Sequence, residues 1–172
     1  MTTKTQFKWF WAWDDAKEEL WLHEMSLQGW HFKSVSLPGN YIFEQGEPTD
    51  YVYRLDYFTN TKDSDSYLQL FEDAGWDHMG KMNSWQYFRQ EAVEGQELEI
   101  FTDNASKAKK YQRLMLFHVI LFPIFFNLIL VFNRNSESDL NQIISIGVSI
   151  FLILYIYALA RLLGRITQLL KS

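Results

Sequence analysis

The residues best equipped for chemistry are four histidines, a cluster of carboxylates and one charged pair on an aromatic strand. His31 and His78 follow two similar Gly-Trp dipeptides, and His23 lies in a helical stretch; with Asp77 or Glu24 they offer metal-ligating groups. Metal-binding histidine pairs on a helix stand four residues apart, and no two histidines here do, so no metal or other cofactor is expected. Asp14, Asp15, Glu18 and Glu19 could divide acid and base roles if their pKa values were driven apart. They stand where a helical pattern begins, however, and negative side chains there complement the helix dipole. Asp15 with Glu18 three residues on has the form of a capping box, so capping is the expected role of the cluster.

Arg54 and Asp56 lie two apart on a strand and share a face with Val52 and Phe58, which makes these four the candidate partner-binding site. Lys8 or Arg89 on neighbouring strands would complete a polar cluster. The chain has no cysteine, hence no thiolate nucleophile, disulfide or Cys-based metal site. No Gly-rich phosphate-binding loop precedes a helix. With no catalytic constellation, the expectation is a binding protein and not an enzyme.

Two segments must position these residues, and they resemble each other at an offset of 46 (Gly29 to Gly75). Trp21, Leu22, Met25 and Gly29-Trp30 correspond to Tyr67, Leu68, Phe71 and Gly75-Trp76. Each copy has apolar residues at helical spacing, a glycine that ends the helix, and a tryptophan that opens a strand. Helices are expected near 15–28 and 64–74. Alternation and turn signals place strands near 7–12, where Phe7, Trp9, Trp11 and Trp13 share a face, and near 30–36, 41–45, 51–58, 76–82, 84–90 and 97–101. The expected fold is α+β, an antiparallel sheet with two helices on one face, ferredoxin-like and internally repeated. Trp30 and Trp76 are expected as buried counterparts, and the aromatic sheet face away from the helices is left open to a partner.

The last third of the chain differs in kind. Leu114 to Phe132 holds no formal charge, and a second apolar run covers 140–163, interrupted by one charge at Arg161. Each is long enough to cross about 30 Å of hydrocarbon, and the seven-residue loop 133–139 between them forces a hairpin. His118, Pro123 and Asn127 interrupt the first span; hydrogen bonding to a neighbouring helix, or a place near an interface, is the expected role of its polar pair. The expected divisions are a cytosolic acidic domain at 1–105, a basic juxtamembrane linker at 106–113, spans at 114–132 and 140–163 with an extracytoplasmic loop at 133–139, and a cytosolic tail at 164–172. Lys107, Lys109, Lys110 and Arg113 on one side of the pair, with Arg161, Arg165 and Lys171 on the other, put both termini in the cytoplasm. Met1 to Gln6 is polar and has no signal-peptide character.

Charge narrows the partners. Residues 1–105 carry 8 Lys+Arg against 19 Asp+Glu, a net of −11, and 106–172 carry 8 against 2, a net of +6, which together give the whole-chain −5. An acidic domain repels phosphate backbones, so nucleic acid is excluded. The expected function is a membrane-anchored cytosolic interaction or sensory domain, regulatory in character, that binds a protein partner, a second copy or a small apolar ligand. The alternative is an accessory subunit of a membrane transporter or channel complex, acting through its hairpin.

The segments FKWFWAWDDAKEELWLHEMSLQGWHF and YIFEQGEPTDYVYRLDYF resemble the bacterial family of domain of unknown function 2812. The resemblance covers about residues 5–90: the aromatic first strand, Gly29-Trp30, Tyr41 to Phe43, the Gly46-Glu47-Pro48 turn and the strand Tyr51 to Asp56. It implies a Gram-positive setting, hydrophobic C-terminal segments and genes often beside PadR-type regulators. It implies no enzymatic activity and no catalytic residues.

Overall fold

The structure is a computed structural model and describes residues 2–60, 62–134 and 139–171. The chain divides into two units, Met1–Asp103 and Asn104–Ser172.

The first unit runs β1 (Thr3–Phe7), α1 (Asp15–Leu27), β2 (Trp30–Ser36), β3 (Asn40–Gln45), β4 (Tyr51–Tyr57), α2 (Ser64–Asp73), β5 (Asp77–Met82), β6 (Trp85–Glu91). The strands form two antiparallel sheets of three, ordered β1-β3-β2 and β4-β6-β5. Each half is therefore a strand, a helix and a hairpin, with the first strand paired to the last. Both hairpins break register near the start of their first strand, between Phe32 and Ser34 and between His78 and Gly80, 46 positions apart. Both helices end on a left-handed glycine, Gly29 at φ +78° and Gly75 at φ +85°, a conformation that costs other residues steric strain. After α2 the Gly75 amide bonds Glu72 O and the Trp76 amide bonds Phe71 O, which closes the helix in a Schellman turn.

The structure corrects several expectations. One sheet with both helices on one face is replaced by two sheets. Trp21, Leu22 and Met25 of α1 join Phe32, Val35, Tyr41 and Phe43 of the first sheet and Tyr53, Leu55 and Tyr87 of the second in the main core. Phe71 of α2 gathers Trp76, Phe88 and Leu98 into a separate core, with Val52, Tyr67 and Ile100 packed on it. Because neighbouring residues on a strand face opposite ways, the two helices cover opposite faces of the second sheet. β1 lies at Thr3–Phe7 rather than 7–12: the polar residues Thr3 to Gln6 pair with β3, and the aromatic run beyond Phe7 leaves the sheet. Residues 97–101 form no strand. Trp76 is buried as expected, whereas Trp30 is only partly buried, with the Lys4 ammonium over its ring at 5.3 Å.

The second unit is two helices, α3 (Asn104–Arg134) and α4 (Asp139–Lys171), both long and apolar enough to cross a membrane. The basic stretch 106–113 is helical and belongs to the first part of α3. Of the loop expected at 133–139, residues 135–138 lie outside the described residues. Phe125 packs on Phe151 with ring centroids 4.8 Å apart, and the Tyr155 hydroxyl donates to the His118 carbonyl. The polar side chains bond within their own helix, His118 Nδ1 to Leu114 O at 2.8 Å and Asn127 Nδ2 to Pro123 O at 2.7 Å.

Candidate functional site

Glu18 is the centre of the most distinctive chemistry in the first unit. It stands at i−3, i−4 and i−7 from Trp21, Leu22 and Met25, so the helix turns it into the core along with them. Only 7% of it is exposed, and 3% of Asp15, one turn earlier. One carboxyl oxygen of Glu18 accepts two hydrogen bonds of 2.7 Å, from the hydroxyls of Tyr41 on β3 and Tyr87 on β6. A single helical residue thereby ties the two sheets together. Burial raises the Glu18 pKa above the ordinary carboxyl value of 4.5; the two tyrosine bonds oppose that shift, and nearby Asp15 adds to it. Burial, followed by the Glu18 charge, pushes both tyrosine hydroxyls well above their usual range, so they remain protonated donors.

A cavity of about 60 Å³ opens against this group. Glu18, Tyr41 and Tyr87 line it with Asp15, and Phe10, Trp11 and Trp85 supply ring walls. Lys8 also lines it, with its ammonium 4.5 Å from the Trp21 ring centre and 5.3 Å from that of Phe10. At about 10–15 Å³ of such volume per water, the space suits a few water-sized groups.

The carboxylate cluster is thus a correction to the capping expectation. The N-cap residue is Asp14, which makes no side-chain cap bond and instead accepts from Lys17 Nζ at 2.6 Å. Glu19 accepts the Leu55 amide at 2.9 Å. Glu18 belongs to the apolar stripe of its helix, and that spacing was the signal that the capping-box pattern masked.

The expected partner face is covered. Arg54 Nη2 donates to Leu98 O at 2.7 Å and Nη1 to Tyr53 O at 2.9 Å, with Glu19 3.8 Å from Nη1 and Glu99 3.6 Å from Nε. Asp56 is buried and accepts the Tyr67 hydroxyl at 2.9 Å. Phe58 stacks on Tyr67 with centroids 3.7 Å apart, and Val52 packs into the α2 core. These four residues carry α2 and the segment around Leu98, so they do not form an open face. The histidines are dispersed: His23 Nδ1 meets Tyr51 O, His31 Nε2 meets Glu47 O and His78 Nε2 meets Gln86 Oε1, each at 2.9 Å. Among the described residues no three His, Cys, Asp or Glu side chains converge on a common metal position.

Residues 14–123 match the family model described as protein of unknown function DUF2812. The match starts after the aromatic run and extends through the first part of α3, whereas the resemblance read from the residues covered about 5–90. No curated protein and no solved structure matches the chain. With the match spanning most of its length, the chain belongs to the DUF2812 family.

Proposed function

We propose that this protein is a membrane-anchored sensory domain whose ring-lined cavity takes a small ligand against Glu18. The supporting observation is a buried carboxyl group, held by two tyrosine hydroxyls, at the wall of an aromatic cavity. Buried carboxyls with raised pKa values in clefts are more common at functional positions than elsewhere. A small, largely apolar molecule with one hydrogen-bonding group fits this lining; a protein partner is not favoured, because α2 covers the face that would have received it.

The anchoring half of the proposal rests on α3 and α4. At 1.5 Å per residue their 31 and 33 residues extend about 47 and 50 Å, beyond the roughly 30 Å of hydrocarbon. Lysines and arginines populate the excess at the start of α3 and the end of α4, which favours a cytoplasmic location for both.

Thermal unfolding of the detergent-solubilised full chain tests the cavity, with phenol and short alcohols as probes. A ligand that binds only the folded state raises the melting temperature by mass action. Ala12 also lines the cavity, and Ala12→Leu, which adds bulk to that wall, should abolish the rise. An equal rise in the variant, or none in either protein, removes the cavity from consideration.

A further inference from the structure

The aromatic run expected as a strand emerges instead as an exposed patch. Phe7 is 60% exposed, Trp9 54%, Trp11 50% and Leu37 65%. Trp9 meets Trp11 edge-on at 5.7 Å, and Trp11 stacks flat on Trp13 at 5.4 Å. Leu37 comes from the β2–β3 turn, which the Lys8 amide holds by a 2.9 Å bond to Gly39 O. A Cβ placed on Gly39 would lie 3.6 Å from the Phe7 ring, so the turn and the end of β1 are in contact. The four side chains present on the order of 400 Å² of apolar surface, a size at which such patches on soluble domains serve as contacts.

The charges around the patch indicate what covers it. Residues 1–103 carry 8 Lys+Arg against 19 Asp+Glu, yet the two segments that build the patch, 2–13 and 25–43, contain Lys4, Lys8 and Lys33 and no carboxylate, and the carboxylates beside Trp11, those of Asp14, Asp15 and Glu18, are buried. An anionic phospholipid surface repels an acidic domain and is tolerated best at a place of this kind. Tryptophan favours the headgroup layer, where its ring is buried and its N–H stays hydrated. On the anchoring read above, the bilayer is also held within reach by the same chain, and a tethered contact needs little intrinsic affinity.

From the composition, exposure and charge of this patch, we propose that Phe7, Trp9, Trp11 and Leu37 dock the first unit onto the lipid headgroup layer. The proposal depends on the anchoring reading and does not require a ligand in the cavity, although Trp11 borders both patch and cavity. It gives the aromatic run a role as a second, reversible membrane contact.

All seven tryptophans precede residue 86 and none lies in α3 or α4, so tryptophan emission of the full chain reports on the first unit alone. The chain is reconstituted into vesicles of phosphatidylcholine with anionic phosphatidylglycerol, their acyl chains ordinary or brominated, and alkaline flotation checks that it is inserted. Docking predicts that brominated lipid quenches the emission. The Phe7→Ser/Trp9→Ser/Leu37→Ser variant, changed only at exposed sites that do not line the cavity, should lose most of that quenching and keep its melting temperature. Flotation without quenching overturns the patch as a lipid contact, as does equal quenching in the variant. A variant that instead dissociates a dimer assigns the patch to a second copy and also overturns it. Failure to float overturns the anchoring reading, and the lipid contact with it.

Discussion

Glu18 and Arg54 both show charged side chains put to internal use. Arg54 bonds the backbone at Leu98 and lies beside carboxylates from α1 and from Glu99, so it braces β4 against segments on both sides of it. Glu18 carries a testable pH signature. Its folded pKa is raised above 4.5, so the folded state holds its proton more tightly than the unfolded chain does. The resulting stabilisation is complete below the unfolded value and is lost as pH rises through the folded one. Glu18→Gln keeps an acceptor for Tyr41 and Tyr87 and cannot ionise. In melts of the full chain followed by tryptophan emission, the wild type should lose stability relative to the glutamine variant as pH rises above about 4.5. Other carboxylates are common to both proteins and cancel, so parallel curves would place Glu18 in an environment no different from water. The sequence placed Glu18 within one turn of a helix start, but capping and core spacing both fit that position. The choice between them depends on Tyr41 and Tyr87, which are 23 and 69 residues away.

Elements whose signals are local were legible. Helices expected at 15–28 and 64–74 are found at Asp15–Leu27 and Ser64–Asp73, because their stripe and terminal glycine lie within a few residues of each other. The division into two sheets was not legible, since strand order depends on pairings between distant residues, and β1 was missed because its polar residues show no apolar alternation. The two helix ends differ in a way that only the structure reveals. A Cβ on Gly29 would lie 2.6 Å from Gly46 O, an unyielding backbone atom, whereas one on Gly75 would meet the flexible end of Gln90 at 2.9 Å. Both substitutions to alanine incur about 1–2 kcal/mol for the left-handed conformation. Gly29→Ala should therefore lower the melting temperature clearly more than Gly75→Ala. Equal losses would mean that the turn at Gly46 yields.

At the scale of the whole molecule, the separation into an acidic unit and an apolar helix pair was readable from composition alone, and the unit boundary falls at Asp103 against an expected 105. The orientation proposed above has a direct test, helped by the absence of cysteine. In intact cells, a single cysteine at Ser136 should react with an impermeant maleimide, and one at Ser172 should react only after lysis. Reaction at Ser172 in intact cells would reverse the orientation.

The Arg54 brace also has a mechanical meaning. Arg54 and the α2 core pin the segment from Leu98 to Ile100 to the second sheet a few residues before the chain enters α3. From that pin the contact continues within the first unit: Arg54 lies 3.8 Å from Glu19 of α1, the helix that carries Glu18. The first unit is thus riveted like a frame, with one strut running from the Leu98 segment through β4 and α1 to the wall where the two tyrosines meet.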